Sequence, residues 1–197
     1  MLDIWQKFNA AMPVQKVTRE EVIQKSLPVF RQRGYYNTSM TDLAEACGLQ
    51  KGSFYHYFDS KESLMKEVLG AVSSYFENKI FAIAYDESLL PVERLQKVLD
   101  KQIRAVTNTK GGCLMGNTAI ETALLTDEFK PIMEAFFDGY VKALAAIYST
   151  QFSAQAATQL AQQAAMEFEG ALILVKMSGK EQLLHDAAHR IVERLKS

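Results

Sequence analysis

Residues 34–64 read GYYNTSMTDLAEACGLQKGSFYHYFDSKESL, and the fold follows from how that stretch divides. Ser39 with Asp42 three residues on predicts a helix start, because a serine oxygen can accept from a first-turn amide. Met40, Leu43, Ala44 and Cys47 then repeat at i, i+3, i+4 and i+7, which gives one buried helical face. Gly48 supplies a left-handed turn that a bulkier residue would resist. A short third helix is expected from about Gln50 to Phe58, with Phe54 and Phe58 turned inward beside Leu49. Asp59 and Ser60 cap a fourth helix, which runs through Leu64, Val68, Leu69 and Phe76 towards Ala84.

Upstream, Thr18 and Glu21 form a capping box for a helix whose inward stripe is Ile23, Leu27 and Phe30 and whose stop is Gly34. Pro28 lies inside it, where a lost backbone donor costs about 3 kcal/mol or bends the axis. Residues 18–58 therefore read as three helices, the second and third joined by a glycine-centred turn, which is the pattern of a helix-turn-helix. Residues 1–17 form an N-terminal arm with Ile4, Trp5, Phe8 and Met12 at helical spacing before Pro13. It either packs loosely or carries Lys16, with Arg19 beyond it, to a DNA backbone.

Downstream, helices are expected over 91–108, 117–125, 127–151, 153–176 and 180–195. No segment alternates with period two for long enough to be a strand, so the class is all-α. Residues 18–66 are expected to form the helix-turn-helix domain, and 67–197 a larger helical domain for ligand sensing and dimerisation. Net charge gives no argument for nucleic acid: it is −1 overall, and residues 1–67 hold nine Lys/Arg against eight Asp/Glu. Any DNA surface must come from where the charges point. Two cysteines make no disulfide framework, and neither a signal peptide nor a bilayer-spanning run is present, so a reducing cytoplasm is the expected location, with no membrane partner.

On the third helix, Lys51, Ser53, Tyr55 and His56 fall outward or on the flanks. Lysine can meet phosphate, serine a phosphate or a base edge, and tyrosine offers a hydroxyl and an aromatic face. Gly52 lets the backbone approach closely, and Lys61 adds a cation at the next helix start. Spacing alone also allows an ordinary solvated helix.

The stretch nevertheless resembles the DNA-binding domain of TetR-type repressors: a GY-x-x-TS-type entry, a D-L-A-x-x-x-G second helix, K-G-S-F-Y-H-Y-F, and S-K-E-x-L opening the fourth helix. The resemblance covers roughly residues 18–66, and it implies a transcriptional repressor rather than an enzyme, without cofactor or metal. It places DNA contacts on Thr41, Gln50, Lys51, Gly52, Ser53, Tyr55, His56, Tyr57 and Lys61. Gln50 departs from the serine or threonine often found there, so it either caps poorly or reaches an adenine edge.

The resemblance further implies a homodimer on a palindromic operator, with half-sites about a helical turn or a small multiple apart. Leu160, Ala164, Phe168, Ala171 and Val175 on one helix, with Leu184, Ala188, Ile191 and Leu195 on the next, repeat like seams. They suit a four-helix dimer interface, or else a helix pair within one subunit. An effector pocket is implied among the inner helices, with Gln102, Asn117, Glu121 and Glu167 as polar groups and Phe136 and Tyr140 as aromatic walls.

Cys113, in Lys110-Gly-Gly-Cys-Leu-Met-Gly-Asn117, precedes a helix, and the nearby cation and helix end are expected to lower its thiol pKa. The segment resembles a branch of the family in which such a cysteine senses electrophiles; a small buried residue in a tight joint is the other reading. His185 and His189 are four apart and could pair on a metal, but no third ligand adjoins them. An adaptor whose helical domain binds a protein partner is the alternative function.

Overall fold

The computed structural model describes residues 17–108 and 110–196. Among them are nine α-helices and no strand: α1 Arg19–Arg33, α2 Met40–Cys47, α3 Lys51–Phe54, α4 Lys61–Lys79, α5 Pro91–Thr107, α6 Leu114–Thr122, α7 Lys130–Tyr148, α8 Ala154–Ser178 and α9 Gln182–Lys196. Of the expected N-terminal arm, residues 1–16 lie outside the described residues.

The caps set the N-terminal helices as their sequence signals require. Thr18 accepts from the Glu21 amide while the Glu21 carboxylate takes the Thr18 amide, and Ser39 and Asp42 repeat the box at α2. Gly48 has φ 70° and turns α2 towards α3. Gln50 caps α3 without a side-chain hydrogen bond, and helical geometry lasts only to Phe54 before a turn through Tyr57. The longer helix expected to Phe58 is thus cut short: with no side-chain cap at its start, burial of Phe54 and Phe58 carries the segment instead. Similarly, α4 stops at Lys79 and a 3-10 turn covers Phe81–Tyr85. Helix α1 runs through Pro28, and nothing in the structure explains that residue.

The C-terminal helices wrap one core. The rings of Phe76, Phe81, Phe136 and Tyr140 meet at centroid distances of 5.2 to 5.8 Å. Helix α6 begins three residues earlier than its pattern suggested, because the Cys113 sulfur accepts from the Gly116 amide at 3.3 Å and so caps it. Helix α8 packs on α7 along one side and on α9 along another.

The two parts of the chain meet where glycines permit close approach. A Cβ on Gly111 would stand 2.4 Å from the Arg31 carbonyl, and one on Gly34 would stand 2.6 Å from a Glu121 oxygen. These contacts bring α1 against the segment that opens α6.

Candidate nucleic-acid interface and ligand cavity

Thr41, Gln50, Lys51, Gly52, Ser53, Tyr55 and His56 are all exposed, on the outer side of α2 and α3. Phe54 and Phe58 are buried beneath them, so the inward ring pair fixes the outward set. Two other expected contacts are already engaged. The Tyr57 hydroxyl donates to the Val17 carbonyl at 2.6 Å. Lys61 donates to the Tyr35 carbonyl at 2.7 Å, its ammonium 4.3 Å from the centre of that ring, and burial lowers its pKa. In each case a half-buried polar group takes an internal partner within reach, and the Lys61 ammonium keeps two further N–H donors. Arg19 likewise donates to the Tyr57 carbonyl at 2.6 Å and stacks over Phe58, so it staples the segment rather than reaching away.

Tyr35, the tyrosine of the GY-x-x-TS entry, is where α1, α4 and α6 and the residue before α7 converge. Its amide donates to Glu121 at 2.8 Å and the Tyr36 amide donates to the other Glu121 oxygen at 2.7 Å. Its ring packs against Phe129, just before α7, at 4.9 Å. One carboxylate from α6 therefore holds two consecutive amides of the loop between α1 and α2, a charge-assisted pair of hydrogen bonds. Glu121, expected to orient a ligand, is committed to this joint.

The remaining effector candidates separate into two groups. Asn117 lines a cavity of about 230 Å³ between α6, α7 and α8, whose wall includes Cys113, Gly116, Phe137, Glu169, Leu172 and Ile173. Gln102, Phe136 and Tyr140 are buried in the core instead, at or below 2 % exposure. The Tyr140 hydroxyl lies beside Gln102 and is influenced by Glu169 and Cys113, so these two form the polar layer behind the cavity. Glu167 does not reach the cavity: it accepts from Arg190 at 2.6 Å and pairs with Arg194, tying α8 to α9.

Cys113 is buried, and burial followed by the adjacent Glu169 carboxylate pushes its thiol far above the ordinary value. That reverses the expected low-pKa thiolate. Desolvation outweighs the helix end, where the Gly116 and Met115 amides act to lower the value. Glu169 is the missed residue: burial raises its carboxyl to about 7, with only the Cys113 thiol acting to lower it. The available signal was the pair Glu167 and Glu169 in a helix otherwise rich in alanine and glutamine.

The expected dimer seam is closed within the protomer. Ala164, Phe168, Ala171, Leu184, Ala188, Ile191 and Leu195 are buried, and Leu160 and Val175 pack on that core half-buried. Small alanines let α8 lie close against its neighbours α7 and α9, which buries much of the stripe within the subunit. His185 and His189 lie exposed on α9, and no group of three metal-binding side chains gathers among the described residues. No helix among the described residues is long and apolar enough to cross a membrane.

The sequence profile of "Bacterial regulatory proteins, tetR family" matches residues 22–68, and that of "Transcriptional regulator LmrA/YxaF-like, C-terminal domain" matches residues 91–190. The chain belongs to the TetR family. This TetR-family protein is 33 % identical over 124 residues to the HTH-type transcriptional repressor DhaR of Mycobacterium sp. strain GP1, a match spanning 63 % of the chain and 62 % of DhaR. A TetR regulator from Legionella pneumophila superposes with a TM-score of 0.83 at 24 % identity, covering 90 % of this chain and 96 % of that one. AibR, crystallised with isovaleryl coenzyme A and operator DNA, gives a TM-score of 0.63 at 25 % identity over 88 % of this chain and 95 % of its own. As a TetR-family member the protein is a DNA-binding transcriptional regulator, and the adaptor alternative is not favoured.

Proposed function

We propose that this regulator represses from a palindromic operator as a homodimer, and leaves it when a small molecule fills the cavity between α6, α7 and α8. The observation that carries the reading is the Glu121 clamp on the Tyr35 and Tyr36 amides. Glu121 stands at the far end of the helix whose first turn, Cys113 to Asn117, lines the cavity. A ligand that shifts α6 moves the carboxylate, and with it the loop that leads into the Ser39 cap and the exposed Thr41 to His56 surface. Release then follows as a population shift, which requires the ligand to bind the displaced arrangement a few kcal/mol better. AibR holds an acyl-coenzyme A and DNA in one complex, which supports a fold able to take both kinds of partner. A non-covalent effector fits better than a thiol-reactive one, because the buried Cys113 thiol is held in its protonated form.

For the dimer we propose the outer face of α8. Gln155, Gln159, Gln163, Met166, Ile173 and Met177 form an exposed stripe without a charge along this 25-residue helix. Met166, Ile173 and Met177 are 67 %, 48 % and 82 % exposed, more apolar surface than a lone helix face needs.

The test of the clamp is Glu121→Gln, which keeps the shape but removes the charge and one acceptor. Operator affinity measured by fluorescence anisotropy should fall about tenfold, in line with the worth of charged hydrogen bonds. Unchanged affinity together with unchanged ligand-driven release would remove Glu121 from the pathway.

A further inference from the structure

The cavity beside α6 has mostly apolar walls and one acid inside. Phe137, Leu172, Ile173 and Ile120 line it, while Glu169 on α8 lies beside the Cys113 thiol. Among the described residues no cation pairs with Glu169. The carboxyl lies directly over Gly116, where a Cβ would stand 2.7 Å from its Oε2; the glycine is what leaves room for it. Lys176 lines the same cavity seven residues further along α8, and its ammonium donates to Asn117 Oδ1 at 3.2 Å.

Behind the acid stand two buried polar groups, Gln102 and the Tyr140 hydroxyl, set against each other. Of the side chains gathered here, Glu169 and Gln102 contribute acceptor oxygens, and Cys113 and Tyr140 are protonated groups that can also accept. A half-buried carboxylate among apolar walls is stabilised by a partner that brings charge or donors to it. We propose that this cavity binds an apolar organic amine, its ammonium head on the Glu169 carboxylate and its hydrocarbon body against Phe137, Leu172 and Ile173. The inference deepens the proposed function by naming the ligand class of the same cavity, and it rests on that reading only for the step from binding to release.

Binding an ammonium ion requires Glu169 ionised, and the other titratable groups facing it are Cys113, Tyr140 and, at the rim, Lys176. Cys113 and Tyr140 stay protonated through neutrality, since burial raises both. With Glu169 titrating at about 7, amine affinity rises with pH from 6 to 8 by up to about tenfold and then levels.

The experiment uses the full-length protein and three probes of one shape, benzylamine, benzyl alcohol and benzoate, titrated calorimetrically at pH 6, 7 and 8. Benzylamine is expected to bind at least tenfold tighter than the alcohol at pH 8, with the preference shrinking at pH 6. Glu169→Gln, a near-isostere, should abolish that preference while its melting temperature shows it folded. Gly116→Ala should weaken amine binding by displacing the carboxyl. Equal binding of amine and alcohol, tighter binding of benzoate, an unaltered preference in Glu169→Gln, or no binding of any probe would overturn the assignment. Amine binding that leaves operator affinity untouched would keep the amine site and remove its role as effector site. Operator release by some other ligand, without amine binding, would remove the ligand class alone.

Discussion

Gly34 shows how one missing side chain can connect two parts of a molecule. Its φ of 81° and ψ of 174° place it in a region that residues with a Cβ rarely adopt, and a Cβ there would collide with Glu121. The same backbone turn aims the Tyr35 and Tyr36 amides at that carboxylate. Gly34→Ala is therefore expected to cost about 1–3 kcal/mol from backbone strain alone. Urea unfolding should show a lower midpoint, and operator affinity should fall with it because the clamp is displaced. A variant as stable as the parent would mean the loop relaxes without cost. The need for a helix stop at Gly34 was legible from the chain, whereas its partner 87 residues later was not, since no local pattern encodes that meeting.

At the scale of elements, the pairing of α8 with α9 depends on small residues and one acid. Buried alanines at 157, 161, 164 and 171 let the helices around α8 come close, and the Tyr148 hydroxyl of α7 donates to the Ile191 carbonyl of α9 at 2.8 Å. Glu167 closes the pair on its outer edge with Arg190 and Arg194. Burial alone would raise the Glu167 carboxyl, but the two arginine hydrogen bonds outweigh it and the net shift is downward. Such a group contributes stability above its ordinary value and loses it as pH falls through the depressed one. Glu167→Ala should cost about 1 kcal/mol at neutral pH, discounted for the exposed guanidinium of Arg190, and the difference from the parent should shrink in acid. Denaturant midpoints at pH 7 and pH 3.5 test this; an equal difference at both would assign the loss to packing. The periodicity of these helices announced a tight seam, but periodicity carries no information on whether the facing helix belongs to the same subunit.

For the whole molecule, the apolar outer stripe of α8 and the acid beside it set two expectations. Replacing Ile173 by Glu puts a charge on the stripe proposed as the dimer face, and sedimentation should show monomers with unchanged helix content. Dimers that persist would move the interface elsewhere. Glu169 titrates near 4.5 when exposed and at about 7 in the folded chain, so between those values the folded state holds a proton that the unfolded state has released. Stability must then fall as pH rises through that window, by at most roughly 3 kcal/mol for a single group. Urea unfolding at pH 5 to 8 should show the decline in the parent and its absence in Glu169→Gln. Parallel profiles would mean the carboxyl is solvated.

What the sequence determined by itself is local. Caps at Thr18, Ser39 and Ser60, the left-handed turn at Gly48, and the inward Phe54 and Phe58 depend on neighbours within a few residues, so the helix-turn-helix and its exposed face could be read directly. Tertiary structure decided everything that depends on long-range approach: the Glu121 clamp on Tyr35, the occupation of Tyr57 and Lys61, the closing of the α8–α9 seam within one subunit, and the reversal at Cys113. The physical reason is common to all four. A polar group's partner and a thiol's ionisation are set by what lies within a few ångströms in space, and burial by distant segments changes both without leaving a trace in the local pattern.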